Sequence, residues 1–241
     1  MYQKIMEYAR ELDEKSRCRR RDFHKYPETA WYEMRTTAII AKILTELGYE
    51  VLTGREVCLE TERFGVPSEE ALAAHAQLAV SQGAPEEYMT EELRQGFTGA
   101  IGILRCGDGP VVALRFDIDA LGLIEEETPE HRPFAEGFSS RNPGMMHACG
   151  HDAHAVIGLG VAEVLMKIKD SLHGTVKLIF QPGEEGAKGA RPIVAHGHLD
   201  DVDYFVGTHI APTKGPDDGD VTPGTWGSLA TSKYDVYFYG Q

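Results

Sequence analysis

The stretch HACGHDAHAVIGLGVAEVLMKIKDSLHGTVKLIFQPGEEGAKGARPIVAHGHLDDVDYFVGTH, running from His147 to His209, switches repeatedly between helical and extended patterning. It predicts a helix from about Ala153 to Ile168, a strand over Thr175 to Phe180, a helix at about Ala187 to Ala195 and a strand over Asp203 to Thr208. Strands alternating with helices imply an α/β sheet with parallel segments. Upstream, FTGAIGILRC and PVVALRFDID flank the short turn Gly107-Asp108-Gly109, a pattern that predicts an antiparallel hairpin. The second run is almost continuously apolar from Val111 to Phe116, as a buried central strand requires. Residues 124–144 read as a loop rich in Glu, Pro and Gly. Towards the N-terminus a helix is predicted over residues 3–22, with a break at His24 to Glu28 because Pro27 disfavours helix at Tyr26. A second helix runs from about Tyr32 to Leu47, closed by Gly48, and a strand follows at Tyr49 to Leu52. Residues 55–96 are polar and insertion-like. They are expected to be helical in two pieces, with Ser68 as an N-cap and Gly83-Ala84-Pro85 as the divider.

The chain has 241 residues, 42% of them hydrophobic and 26% charged, enough for a substantial buried core and too patterned for disorder. A formal net charge of -14 disfavours nucleic acid and anionic membranes as partners. The one basic cluster, Arg17, Arg19, Arg20 and Arg21, reads as a solvated helix face. No stretch approaches the ~18 apolar residues of a membrane span. The acidic, amphipathic start MYQKIMEYARELDEK does not read as a signal peptide. Four scattered cysteines, Cys18, Cys58, Cys106 and Cys149, are expected to be reduced, which points to a cytoplasmic protein.

The densest chemistry lies in Met146 to His154, which packs three histidines, Cys149 and Asp152 into eight positions just before a predicted helix. On an extended segment Cys149 and His151 would point the same way, and thiolate and imidazole suit zinc and other late divalent metals. After the strand TVKLIF comes Gln181-Pro182-Gly183-Glu184-Glu185-Gly186, where one carboxylate can bind a metal and its neighbour act as general base. His209 closes the strand DYFVGTH, and Asp117 and Asp119 lie where the strand RFDID ends, placed to orient a liganding histidine. Taken singly, each element has a plainer reading: a buried cysteine, a solvated acidic turn, a satisfied histidine, a strand-end turn. Several such elements at the C-terminal ends of strands, where α/β enzymes keep their sites, are harder to explain that way.

HACGHDAH, QPGEEG, VGTHI and RFDIDAL together resemble the M20 family of metallopeptidases, and within it the amidohydrolase branch of hippurate and auxin-conjugate hydrolases. RRRDFHKYPETAWYE resembles that branch's N-terminal motif, and the segment from Gly54 to Gly96 resembles one found in its folate-breakdown members. The resemblance implies a zinc-peptidase-like mixed sheet with flanking helices. It implies Cys149, His151, Glu185 and His209 as ligands of two divalent ions, zinc or manganese, with Glu184 as general base. Asp117, Asp119 and Asp152 are then outer carboxylates. The implied reaction is cleavage of the amide of an N-acyl amino acid, with p-aminobenzoyl-glutamate leading. A general N-acyl-amino-acid or dipeptide hydrolase and an inactive metal- or partner-binding fragment are the alternatives. Residues 1–230 would be the N-terminal part of the catalytic domain, with 55–96 as its helical insertion, and 231–241 the start of a lid or dimerisation domain. On this reading the chain stops before the lid and a last histidine ligand, so little amidase activity is expected of it alone, and the complete enzyme is expected to be a homodimer or heteromer.

Overall fold

The computed structural model describes residues 1–210 together with positions 238 and 240. The strand expected in SKYDVYFYGQ, and with it the lid expected from 231, lies outside the described residues apart from those two positions. The described helices are α1 (Tyr2–Glu11), α2 (Asp13–Lys25), α3 (Met34–Leu47), α4 (Glu69–Ser81), α5 (Glu91–Arg94), α6 (Arg132–Ala135), α7 (His151–Lys167) and α8 (Ala190–Ala195). The strands are β1 (Glu50–Thr53), β2 (Ala100–Arg105), β3 (Val111–Asp117), β4 (Thr175–Gln181) and β5 (Tyr204–Gly207). They form one mixed sheet in the order β1-β2-β4-β3-β5. β1 and β2, and β2 and β4, run antiparallel, whereas β3 is parallel to both β4 and β5.

The expected hairpin between β2 and β3 does not form. The two strands leave the Gly107-Asp108-Gly109 turn splayed, and β4 enters between them. The Cys106 N–H donates to the Gly174 carbonyl at 2.8 Å, and the Thr175 N–H donates to the Pro110 carbonyl at 3.0 Å. Close contact makes this wedge possible, since a Cβ on Gly174 would lie 2.1 Å from the Pro110 carbonyl oxygen. A short turn therefore signalled proximity of two strands without fixing their pairing. The consequence is functional, because β3 and β4 now point the same way and end side by side.

β4 is covered on both faces. Leu178 and Phe180 join Leu44, Leu104, Phe116 and Leu159 under α3 and α7, while Ile179 joins Trp31, Phe97, Ile101, Ala113 and Ile193 on the other side. Helix α7 lies close on the sheet at Gly158, where a Cβ would sit 2.6 Å from the Phe180 ring and 2.7 Å from the Phe116 ring. Among the described residues β5 lies at the sheet edge, with Tyr204, Phe205 and Val206 exposed.

Residues 55–96 contain 3-10 turns and helices, pair with no strand of the sheet among the described residues, and pack on α3 through Met34, Ala38, Leu72, Ala76 and Leu93. Ser68 caps α4 by accepting the Ala71 N–H. The helix expected over 3–22 is two helices joined at Leu12, and α1 buries no residue. Of the arginines of α2 only Arg17 matches the solvated face expected, being exposed and paired with Asp13 and Glu14 of its own helix. Arg19 pairs with Glu163, Arg20 with Asp152 and Arg21 with Glu136, so helix α2 is bound electrostatically to α7 and to the loop after α6.

Gly158→Ala tests the docking of α7. The gain in helix propensity of roughly 1 kcal/mol should be outweighed by overlap with two aromatic rings. Urea unfolding should show a net loss of about 1–2 kcal/mol, within the range for overpacked cores.

Candidate metal centre

Each candidate side chain comes from the C-terminal edge of the parallel strands β4, β3 and β5, or from the start of α7. Asp117 is the last residue of β3, Glu184 and Glu185 follow β4, and His209 follows β5. Cys149 and His151 flank Gly150, whose φ of +85° turns the chain into α7. The two side chains therefore converge through a left-handed turn at a helix N-terminus, not through the alternation of an extended segment. Gly150 is one of the places where glycine is required, because a side chain at that φ would be strained.

The turn carrying the glutamates is tightly closed. The Lys188 and Gly189 N–H groups both donate to the Gly183 carbonyl at 2.9 Å, and Ala187 holds a φ of +55° that non-glycine residues rarely adopt.

Sγ of Cys149 lies 3.4 Å from Nε2 of His209. One ligand atom each from Cys149, His151 and Glu185 lie within 4.8 Å of one another, and the same holds for Asp117, His151, His154 and His209. The two sets share His151. Its Nδ1 donates to the Asp119 main-chain oxygen at 2.9 Å and lies 3.3 Å from the Asp119 carboxylate. That fixes the proton at Nδ1 and turns the Nε2 lone pair inward. There Nε2 lies 3.9 Å from the Asp117 carboxylate and 4.0 Å from that of Glu184. The other oxygen of Asp119 accepts the Glu185 N–H at 2.9 Å.

Of the three carboxylates expected behind the ligands, only Asp119 stands there. Asp117 is in the cluster itself, with the Arg115 guanidinium against it. Asp152 faces the other way and holds Nδ1 of His24 at 2.8 Å and Nε of Arg20 at 2.8 Å. Side chains one residue apart at a helix start point in different directions, so adjacency to His151 did not bring Asp152 to the site. His147 is buried beside His24, and burial pushes its imidazole down to about 4.

His154 was not among the expected site residues. It lies one helical turn after His151, stacked 5.1 Å from it, and the i, i+3 spacing of the two histidines was the available signal. Its Nε2 accepts the Ile210 N–H at 2.8 Å. With that lone pair used, the neutral ring carries its proton at Nδ1, so His154 anchors the backbone directly after His209.

Nε2 of His151, Nδ1 of His154, both oxygens of Asp117 and Oε1 of Glu185 are buried with no hydrogen-bond partner among the described residues. Buried polar atoms left unpaired cost free energy, and carboxylates gathered this closely repel one another. Burial and the Asp117 charge hold the Glu184 carboxyl above its ordinary value. Burial, reinforced by Glu185, pushes the Cys149 thiol up to about 11. Burial opposes protonation of His151, but Asp119 and Asp117 outweigh it and hold the imidazole above its usual value. A divalent cation fits this donor set, since it would satisfy Nε2 of His151, Oδ2 of Asp117 and Oε1 of Glu185 and offset the negative charge, while the Nδ1–H of His154 faces the Asp117 carboxylate at 3.7 Å.

A thiol, imidazoles and carboxylates gathered at the strand ends of an α/β sheet define a metallohydrolase type of site. Residues 113–240 match the peptidase family M20/M25/M40, and the chain belongs to that family. It is 48% identical over 237 residues to the indole-3-acetyl-aspartic acid hydrolase of Enterobacter agglomerans, covering 98% of this chain and 54% of that protein. It is 48% identical over 222 residues to one of the p-aminobenzoyl-glutamate hydrolase subunits of Escherichia coli strain K12, covering 92% of this chain and 50% of that one. A dinuclear metal-binding M20 peptidase from Bacillus subtilis superposes with a TM-score of 0.62 at 31% identity, over 84% of this chain and 44% of that structure. The chain spans about half the length of the curated relatives it matches.

The raised thiol gives a direct check. In the metal-free chain at pH 8.5, iodoacetamide should modify Cys149 at least roughly tenfold more slowly than free cysteine, because so little thiolate is present. Mass spectrometry of the modified peptide reads this. Modification at the free-cysteine rate would show a thiol that neither burial nor Glu185 perturbs.

Proposed function

We propose that this chain carries the metal-binding half of an amidohydrolase that cleaves N-acyl amino acids, with p-aminobenzoyl-glutamate as the leading substrate. Two relatives of equal identity support the substrate class. Their names pair an aromatic acyl group with an acidic amino acid, p-aminobenzoate with glutamate and indole-3-acetate with aspartate. A hippurate-type or general N-acyl-amino-acid hydrolase is the alternative within the same chemistry. We assign Cys149, His151, Glu185 and His209 as ligands of divalent ions, a pair of ions by analogy with the dinuclear relative. Zinc or manganese suits the mixed sulfur, nitrogen and oxygen donors. Residues 1–230 are assigned to the catalytic domain, with 55–96 as its insertion and a lid or dimerisation domain beginning at 231. One relative is named as a hydrolase subunit, which favours a multi-subunit enzyme, and the unbridged cysteines suit a reducing, cytoplasmic setting.

The observation that carries the mechanism is the contrast between the adjacent glutamates. Oε1 of Glu185 is buried and orphaned, as a ligand would be, whereas the Glu184 side chain is 37% exposed and faces the cluster. A divalent ion bound there supplies Lewis acidity to the scissile carbonyl and acidifies water. Glu184 takes the proton from the attacking water and returns it to the amine nitrogen as the C–N bond breaks. Asp119 keeps the His151 proton on the side away from the reaction, so that its Nε2 stays free to bind the ion.

Metal content and hydrolysis of p-aminobenzoyl-glutamate, measured on the chain and on any longer product of its reading frame, test this division of labour. Glu184→Gln should retain metal and lose roughly 100-fold or more in turnover, in the range for a lost general base. Glu185→Gln should lose metal. The opposite pattern would reverse the two roles, and metal retention with full turnover in both would remove the site from the chemistry.

A further inference from the structure

Glu33 is a fully buried carboxyl that the chemistry above does not use. It stands at the N-cap of α3, where an acidic side chain ordinarily turns back to the helix's own free N–H groups. It does not do so here, because Glu28 already accepts the Arg35 N–H at 2.9 Å and the Thr36 N–H at 2.8 Å. Glu33 instead reaches across the fold. One oxygen accepts the Gly183 N–H at 2.7 Å, and the other meets the Thr98 hydroxyl at 2.7 Å. Gly183 immediately precedes Glu184. Asp119 holds the N–H of Glu185 on the other side, so buried carboxyls grip the backbone on both flanks of Glu184.

The segment bearing Glu33 is itself held under strain. Trp31 has a φ of +71°, a costly conformation for a bulky residue. The 55–96 segment keeps it there: the Trp31 indole N–H donates to the Phe64 carbonyl at 2.9 Å, and the Arg63 guanidinium stacks 4.7 Å above its ring. His75 of α4 meets the Glu28 carboxylate at 3.0 Å, and the Glu28 carbonyl accepts the N–H of Ala120, next to Asp119, at 2.8 Å. Residues 28–33 therefore form a brace between the insertion and both carboxylate-bearing strand ends.

We propose that Glu33 is a positioning residue, fixing Gly183 and through it the aim of Glu184 and Glu185, with the 55–96 segment holding Glu33 in place. The inference rests on the assignment of Glu185 as a metal ligand. Burial, with the nearby Asp119 charge, raises the Glu33 carboxyl to about 8. The Gly183 N–H and the Thr98 hydroxyl both donate to the carboxylate, and a hydroxyl can turn to accept from a protonated carboxyl or an amide in the same place. An amide at this position would make the same two hydrogen bonds, which gives the proposal a distinctive signature.

The test is titration of the 241-residue chain with Co2+, followed by the thiolate-to-cobalt absorbance that reports Cys149, alongside thermal unfolding. Glu33→Gln should bind Co2+ within about twofold of the unsubstituted chain, and Glu33→Ala should bind roughly 10- to 100-fold more weakly, the usual effect of removing a group that orients a ligand. Should Glu33→Ala fail to fold, Thr98→Val carries the test, with a smaller loss of affinity expected. A lower melting temperature with unchanged Co2+ affinity in Glu33→Ala or Thr98→Val would reduce Glu33 to a structural role and overturn the proposal. So would a Gln variant as weak as Ala. Failure of the unsubstituted chain to bind Co2+ would overturn the metal assignment itself, and the proposal with it.

Discussion

The Asp119 carboxylate reaches the His151 imidazole with one oxygen and the Glu185 N–H with the other, and so joins two parts of the chain that are 34 residues apart in sequence. The contact is possible only because β3 and β4 are parallel neighbours ending at the same edge of the sheet. It also needs α7 to start close above that edge. Gly158 allows this by letting the helix lie directly on Phe116 and Phe180. A residue two positions beyond β3 can then touch the first residue of α7 and the turn after β4 at once. The proposed metal ligands are the visible part of the site, but their convergence depends on this one carboxylate and on the strand order that places it.

The charge arrangement follows the same logic. Asp117, Asp119, Glu184 and Glu185 surround the cluster, with Arg115 the cationic side chain paired with Asp117. In a chain of net charge -14 such a concentration of acid opposes folding unless something positive compensates. The orphaned donor atoms mark where that compensation belongs. Outside the cluster, two of the buried acids share a histidine. Asp152 and Glu125 enclose His24, which contacts carboxylates through both ring nitrogens and ties α2 to α7 and to the loop after β3. Burial lowers the His24 value taken alone, and the two carboxylates more than reverse it.

Much of this was legible in the sequence, where local chemistry decides. Gly48 ends α3 and Ser68 caps α4, as their residue types dictate. Cys149 and His151 ahead of a helix, the Glu184-Glu185 pair and His209 at strand ends stand out by ligand type, the family resemblance implies Glu185 as the ligand of the pair, and the fold brings Cys149, His151, Glu185 and His209 together. The failures are tertiary. The Gly107-Asp108-Gly109 turn looks like a hairpin, and only the wedge at Gly174 shows that β4 intervenes. The family resemblance implies Asp152 as an outer carboxylate of the site, yet helix geometry turns it towards His24. Glu33 gave no signal of its own. It falls inside the helix expected from about Tyr32, and its contact with Gly183 spans 150 positions.

The central claim, that the thiol of Cys149 and the side chains around it form one metal site, is tested most directly by X-ray absorption on the zinc-loaded chain. Such a site predicts one sulfur neighbour at ~2.3 Å together with nitrogen and oxygen neighbours at ~2.0–2.2 Å. It also predicts that the sulfur shell disappears in Cys149→Ser. Zinc bound with nitrogen and oxygen alone in the unsubstituted chain would contradict it.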